Sequence, residues 1–137
     1  MVIDVERLSR LFAGRRESIS DARAFTRAFV VDRSPDDLVD TVELVVSELC
    51  TNAVEHTASG EEGGQFVLEL AVHSEHVRVG VVDFGAHTEP TVNDEPFGVD
   101  AVSGRGLLIV ETVSKAWGSE RLRVGRRVWA DIVGASM

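Results

Sequence analysis

Hydrophobic positions change period along this chain, and the changes mark its elements. From Ser34 to Thr57 (SPDDLVDTVELVVSELCTNAVEHT), Leu38, Val42, Val45, Val46, Leu49 and Ala53 recur at helical spacing. They predict one long helix with an apolar stripe for a core. Ser34 suits the cap, Pro35 the first helical position, and Asp36 and Asp37 place negative charge where the helix dipole favours it. Upstream, SISDARAFTRAFVV sets Ala22, Phe25, Ala28 and Phe29 on one face and predicts a helix capped by Ser18 or Ser20. Before it, Glu6 to Ala13 (ERLSRLFA) predicts a short first strand.

After the breaker ASGEEGG the period falls to two. Phe66, Leu68, Leu70 and Val72 alternate with Glu69 and His73, Ser74 and Glu75 turn the chain, and HVRVGVVDF repeats the alternation through Val77, Val79 and Val81. This is the pattern of an antiparallel hairpin with one buried face. From Phe84 to Ser103 periodicity is lost, and a loop of that length in a compact domain is expected to be functional, as a lid, or disordered. GRGLLIVETVS then opens a short apolar helix with glycines, and SERLRV and RRVWADIV predict two last strands about a turn at Gly125. The order strand, helix, helix, hairpin, loop, helix, hairpin predicts a single α+β domain over residues 1–137. Its expected architecture is a two-layer sandwich, a mixed and mostly antiparallel sheet with helices on one face. A Rossmann fold is disfavoured, because GRGLLIV follows a loop and lacks the full glycine fingerprint.

Composition narrows the picture. The 137 residues, 44% hydrophobic and 27% charged, suit a globular domain able to bury its own core. No apolar run is long enough to span a membrane, and MVIDVERLSRLF carries acids where a signal peptide carries bases, so the expected address is the cytoplasm. Cys50, the single cysteine, lies inside the long helix and reads as a small core residue. The four histidines show no zinc spacing. A net charge of −9 repels a phosphate backbone, which argues against direct nucleic-acid binding and leaves a basic protein surface as a partner.

Candidate chemistry lies on three separated segments. Each step of four residues turns only about 40° around a helix, so Glu48, Asn52 and His56 stack along one edge of the long helix, beside its buried stripe. Asp83 ends a buried strand with Gly85 just after it, and Gly104 and Gly106 stand at a helix N-terminus. A carboxylate at the mouth of an apolar pocket accepts a hydrogen bond from an adenine amino group, and a neighbouring glycine lets a flat base approach the backbone. Amides at a helix N-terminus receive phosphates, and an asparagine oxygen can join phosphate oxygens around magnesium.

In this order SELCTNAVEH, VVDFG, GRGLLIV and GRRVWADI resemble the histidine-kinase-like ATPase superfamily with its Bergerat nucleotide fold. Within it the chain is most similar to the short anti-sigma-factor serine/threonine kinases of bacteria, over about Arg15 to Ile132. The resemblance implies that Asn52 binds magnesium and that Glu48 is the catalytic base toward a serine or threonine of a partner. It further implies that Asp83 recognises adenine, that Gly85 floors the pocket, and that Gly104, Arg105, Gly106 and Leu107 hold the phosphates of ATP, with His56 a secondary pocket residue. The implied partners are a sigma factor, which is sequestered, and an anti-anti-sigma protein of STAS type, which is phosphorylated; the implied assembly is a homodimer.

Two departures from the family pattern carry an alternative. His87 stands where a second loop glycine is expected, and Arg127 at the best match to a threonine that supports the adenine-binding carboxylate. A guanidinium there is expected to pair with Asp83 and compete with adenine. The alternative reading is therefore a degenerate, non-catalytic regulator that binds protein and holds nucleotide weakly or not at all.

Overall fold

In the computed structural model, residues 5–56, 63–84 and 108–134 are described. In chain order they form β1 (Glu6–Ala13), α1 (Arg16–Val30), α2 (Asp36–His56), β2 (Gln65–Val72), β3 (Val77–Asp83), α3 (108–113), β4 (Ala116–Arg121) and β5 (Arg126–Ile132). The strands make one five-stranded sheet in the order β1-β2-β3-β5-β4, antiparallel at every described pairing. With its helices on one face, this is the expected two-layer α+β arrangement.

The register explains the alternation. Phe12 pairs with Phe66, Leu68 with Val81, Leu70 with Val79, and Val79 with Ala130, so these residues share the inner face of the sheet. They are buried there against Ala22, Phe29 and Val30 of α1 and against Leu38, Val39, Val42, Val45, Val46, Leu49 and Ala53 of α2. Val110 of α3 completes the same core. Burying each of the larger aliphatic side chains contributes about 1.5–3 kcal/mol, which is what ties the helices to the sheet. Cys50 is buried among them, and burial pushes its thiol well above the usual range, as befits a core residue.

Element boundaries depart from the sequence pattern in three places. Helix α1 begins at Arg16, with extended Arg15 at its cap and no side-chain cap bond, so neither Ser18 nor Ser20 is the cap. Ser18 lies buried in the first turn, its amide bonded to the Arg15 carbonyl, and Glu17 supplies the negative charge that the helix start favours. Helix α2 begins at Asp36, one residue past Pro35, whose carbonyl accepts the Leu38 amide. Strand β4 begins at Ala116, ahead of the expected Ser119, because Ala116 pairs with Asp131 and the Lys115 amide bonds the Asp131 carbonyl. It ends at Arg121, since the Leu122 amide bonds the Gly125 carbonyl and closes the turn.

The outer face of the sheet is covered by its own charges. Arg78 lies opposite Asp131 and donates to both carboxylate oxygens, at 2.6 and 2.8 Å, while its guanidinium sits 4.2 Å over the Trp129 ring. The Trp129 indole fits against Gly118, where a Cβ would come within 3.1 Å of the ring.

Candidate functional site

Helix α2 and strand β3 run in the same direction. Pro35 and Leu38, at the start of α2, line one small cavity with His76 and Val77, at the start of β3. From Leu38 to Asn52 the helix climbs about 21 Å, and from Val77 to Asp83 the strand extends about 20 Å. The last turns of α2 are therefore level with the end of β3.

Glu48 and Asn52 sit in those turns, half-buried beside the fully covered Leu49 and Ala53. Among the described residues neither side chain has a hydrogen-bond or ion-pair partner. A carboxylate and an amide at the edge of a core, one turn apart and unpaired, are suited to meet a ligand rather than to hold the fold. His56 is the last residue of α2, and its side chain falls outside the described residues.

Asp83 is 6% exposed. It pairs with Phe66 on one side and Arg126 on the other, so its side chain belongs to the inner face, under the same helices as Glu48 and Asn52. Phe84 follows, 41% exposed, as the chain leaves the sheet. Gly85, His87, Gly104, Arg105, Gly106 and Leu107 lie outside the described residues; the helical segment 108–113 follows directly, with Val110 in the core.

The expectation that Arg127 competes for Asp83 is overturned. Arg127 pairs with Val82, not Asp83, and so lies on the opposite face of the sheet. There its guanidinium donates to Glu69 at 2.8 Å and to Glu120 at 2.7 Å, and these carboxylates, Glu69 foremost, raise its pKa further. Glu69 is reached across β3 because Gly80 has no side chain; a Cβ there would come within 3.0 Å of the Glu69 carboxylate. The residue facing Asp83 is Arg126.

A profile described as the histidine kinase-like ATPase domain matches residues 12–131, from β1 to β5. The chain belongs to the histidine kinase-like ATPase family. This histidine kinase-like ATPase domain is similar to the serine-protein kinase RsbW of Listeria monocytogenes and to that of Listeria innocua, 28% identical over 86 residues in each case. Those matches cover 56% of this chain and 55% of each relative, so the chain spans about half the length of the curated relatives it matches. Among solved structures it is similar to the histidine kinase domain of a blue-light activated histidine kinase from Erythrobacter litoralis EL346. That likeness has a TM-score of 0.51 and 28% identity, and it covers 73% of this chain and 46% of the other.

Sequence reasoning missed two features of this ATPase domain. Arg126 shares a face with Val128, Ala130 and Ile132, so the alternation of RRVWADI already set it on the Asp83 side and Arg127 on the other. The sequence marks Gly125 only as a turn residue, although its backbone lies against that of Asp83.

Proposed function

We propose that this domain is an ATP-dependent regulatory serine/threonine kinase that phosphorylates an anti-anti-sigma partner and sequesters a sigma factor. The reading is supported by Glu48 and Asn52, half-buried in the last turns of α2 and without a partner among the described residues, and by the buried Asp83 at the end of β3, in a chain that matches the histidine kinase-like ATPase domain from residue 12 to residue 131. The similarity to RsbW, a serine-protein kinase, supports a serine or threonine of a partner protein as the substrate class.

In this reading Asp83 accepts a hydrogen bond from the adenine amino group, and residues 104–107 receive the phosphates at the start of α3. The Asn52 amide oxygen would hold magnesium together with phosphate oxygens, and the ion would neutralise charge on the transferred group. Glu48 takes the proton from the partner's hydroxyl as its oxygen bonds to the γ-phosphorus; the bond from that phosphorus to the β–γ bridging oxygen breaks, and ADP leaves.

The alternative, a regulator without nucleotide, rested partly on Arg127 blocking Asp83, and that support is gone. Calorimetry with ATP and magnesium, followed by phosphate transfer to a partner identified by co-purification, tests the proposal. Asn52→Ala is expected to remove magnesium-dependent ATP binding. Glu48→Ala is expected to keep binding and lose transfer by about 10²–10⁴-fold, the usual contribution of a general base. No detectable binding by the unaltered protein at millimolar ATP would reject the kinase.

A further inference from the structure

The turn between β4 and β5 presses on the strand end that carries Asp83. A Cβ built at Gly125 would lie 1.9 Å from the Asp83 carbonyl oxygen, 2.9 Å from its carbon and 2.8 Å from the Phe84 Cα. All three atoms are backbone, so no side chain can swing aside. To restore an ordinary contact of 3.4 Å, the Asp83–Phe84 peptide or the turn would have to move by about 1.5 Å, the difference from 1.9 Å.

The turn cannot easily yield. The Leu122 amide donates to the Gly125 carbonyl, and Gly125 itself has φ +98°, a left-handed backbone that disfavours any side chain. Asp83 and Arg126 form the last pair of the β3–β5 ladder, so at this end the strand is steadied by that pair and by the turn resting on it. A recognition group must be held to within about 0.5 Å of its working geometry, and the shift forced at Gly125 is several times larger.

We infer that Gly125 is a positioning residue for base recognition: its bare backbone is the stop against which β3 sets the depth of the Asp83 carboxylate. The inference rests on the proposed role of Asp83 toward adenine. It concerns space, not only backbone conformation, and the molecule contains its own control. Gly63 also has positive φ, +81°, yet a Cβ there meets nothing within 4 Å.

The experiment compares Gly125→Ala with Gly63→Ala, reading melting temperature, ATP affinity and tripolyphosphate affinity. Both variants are expected to melt lower than the unaltered protein, because both force alanine into a left-handed conformation. Only Gly125→Ala is expected to weaken ATP, by about 10–100-fold, the loss of one hydrogen bond to a charged group, while tripolyphosphate binding is kept. ATP binding unchanged in folded Gly125→Ala overturns the inference, as does an equal loss of ATP and tripolyphosphate. Should Gly125→Ala fail to fold, one glycine inserted between Val124 and Gly125 lifts the turn without adding a side chain. A selective loss of ATP then supports the inference, and unchanged ATP binding overturns it. If the unaltered protein binds tripolyphosphate but not ATP, the adenine reading falls first and the positioning role with it.

Discussion

Arg127 shows how much a single residue's face decides. Seen only as a basic residue near the last strand, it is a rival for the carboxylate of Asp83; seen in register, it is a clamp on the other side of the sheet. The two roles predict different outcomes for Arg127→Ala. Its ion pairs are partly solvated, so their loss is expected to lower stability by only about 0.5–1.5 kcal/mol, measured by urea unfolding. ATP affinity, measured by calorimetry, is expected to be unchanged; a clear gain in affinity would return Arg127 to the nucleotide pocket. The face was legible in the sequence, because Val128, Ala130 and Ile132 mark the inner side and leave odd-numbered Arg127 outside. What the sequence did not display was how the ends of its elements pack, since caps and turn contacts depend on backbone geometry that composition does not encode. Arg15 at the cap of α1 and Gly125 against Asp83 are both of that kind.

At the scale of elements, α2 joins the core to the candidate site, and its two stripes were plain in the spacing of apolar and polar residues. Leu49, 2% exposed, is in the apolar stripe directly after Glu48. Leu49→Ala is expected to cost about 2–5 kcal/mol in denaturant unfolding, because the surrounding core closes only partly over the cavity. The β2–β3 hairpin makes a prediction about pH. His73 and His76 stack with ring centroids 4.2 Å apart, and the His73 amide bonds the His76 carbonyl to close the turn. Burial first, then the neighbouring His76 and Arg7 charges, hold His73 below its ordinary value of 6.5, with Asp131 opposing and Arg78 adding to the effect. The unfolded chain therefore takes up a proton there before the folded one does. Stability linked to His73 is complete above about pH 6.5 and is lost as pH falls through the lowered folded value. Asp131, held low chiefly by its hydrogen bonds from Arg78, keeps its contribution until pH falls below the ordinary carboxylate range. Urea midpoints are expected to decline from about pH 7 to pH 5, and His73→Gln to flatten that decline.

For the whole molecule, the two hairpins and the inner and outer faces of the sheet followed from alternation, whereas the order β1-β2-β3-β5-β4 has no signal in the period of any one strand. The expectations for Gly85 and for residues 104–107 rest on the resemblance to a family and lie outside the described residues. Ligand linkage offers a direct measurement on the intact chain. With magnesium present and ATP at 100 times its dissociation constant, stability is expected to rise by about 2.7 kcal/mol, or roughly 10 °C in melting temperature for a domain of this size. Asn52→Ala is expected to remove the magnesium-dependent part of that rise, read by scanning calorimetry. Among the described residues no helix is long and apolar enough to cross a membrane.

The gap at Gly80 has a mechanical outcome. Through it Arg127 of β5 grips Glu69 two strands away in β2 while also holding Glu120 on the outermost strand, β4. Peeling β4 from the sheet thus tugs on a tie that reaches past β3. Amide exchange along the β4 rim should then slow or quicken in step with that of β2, as a single fabric frays along a shared thread.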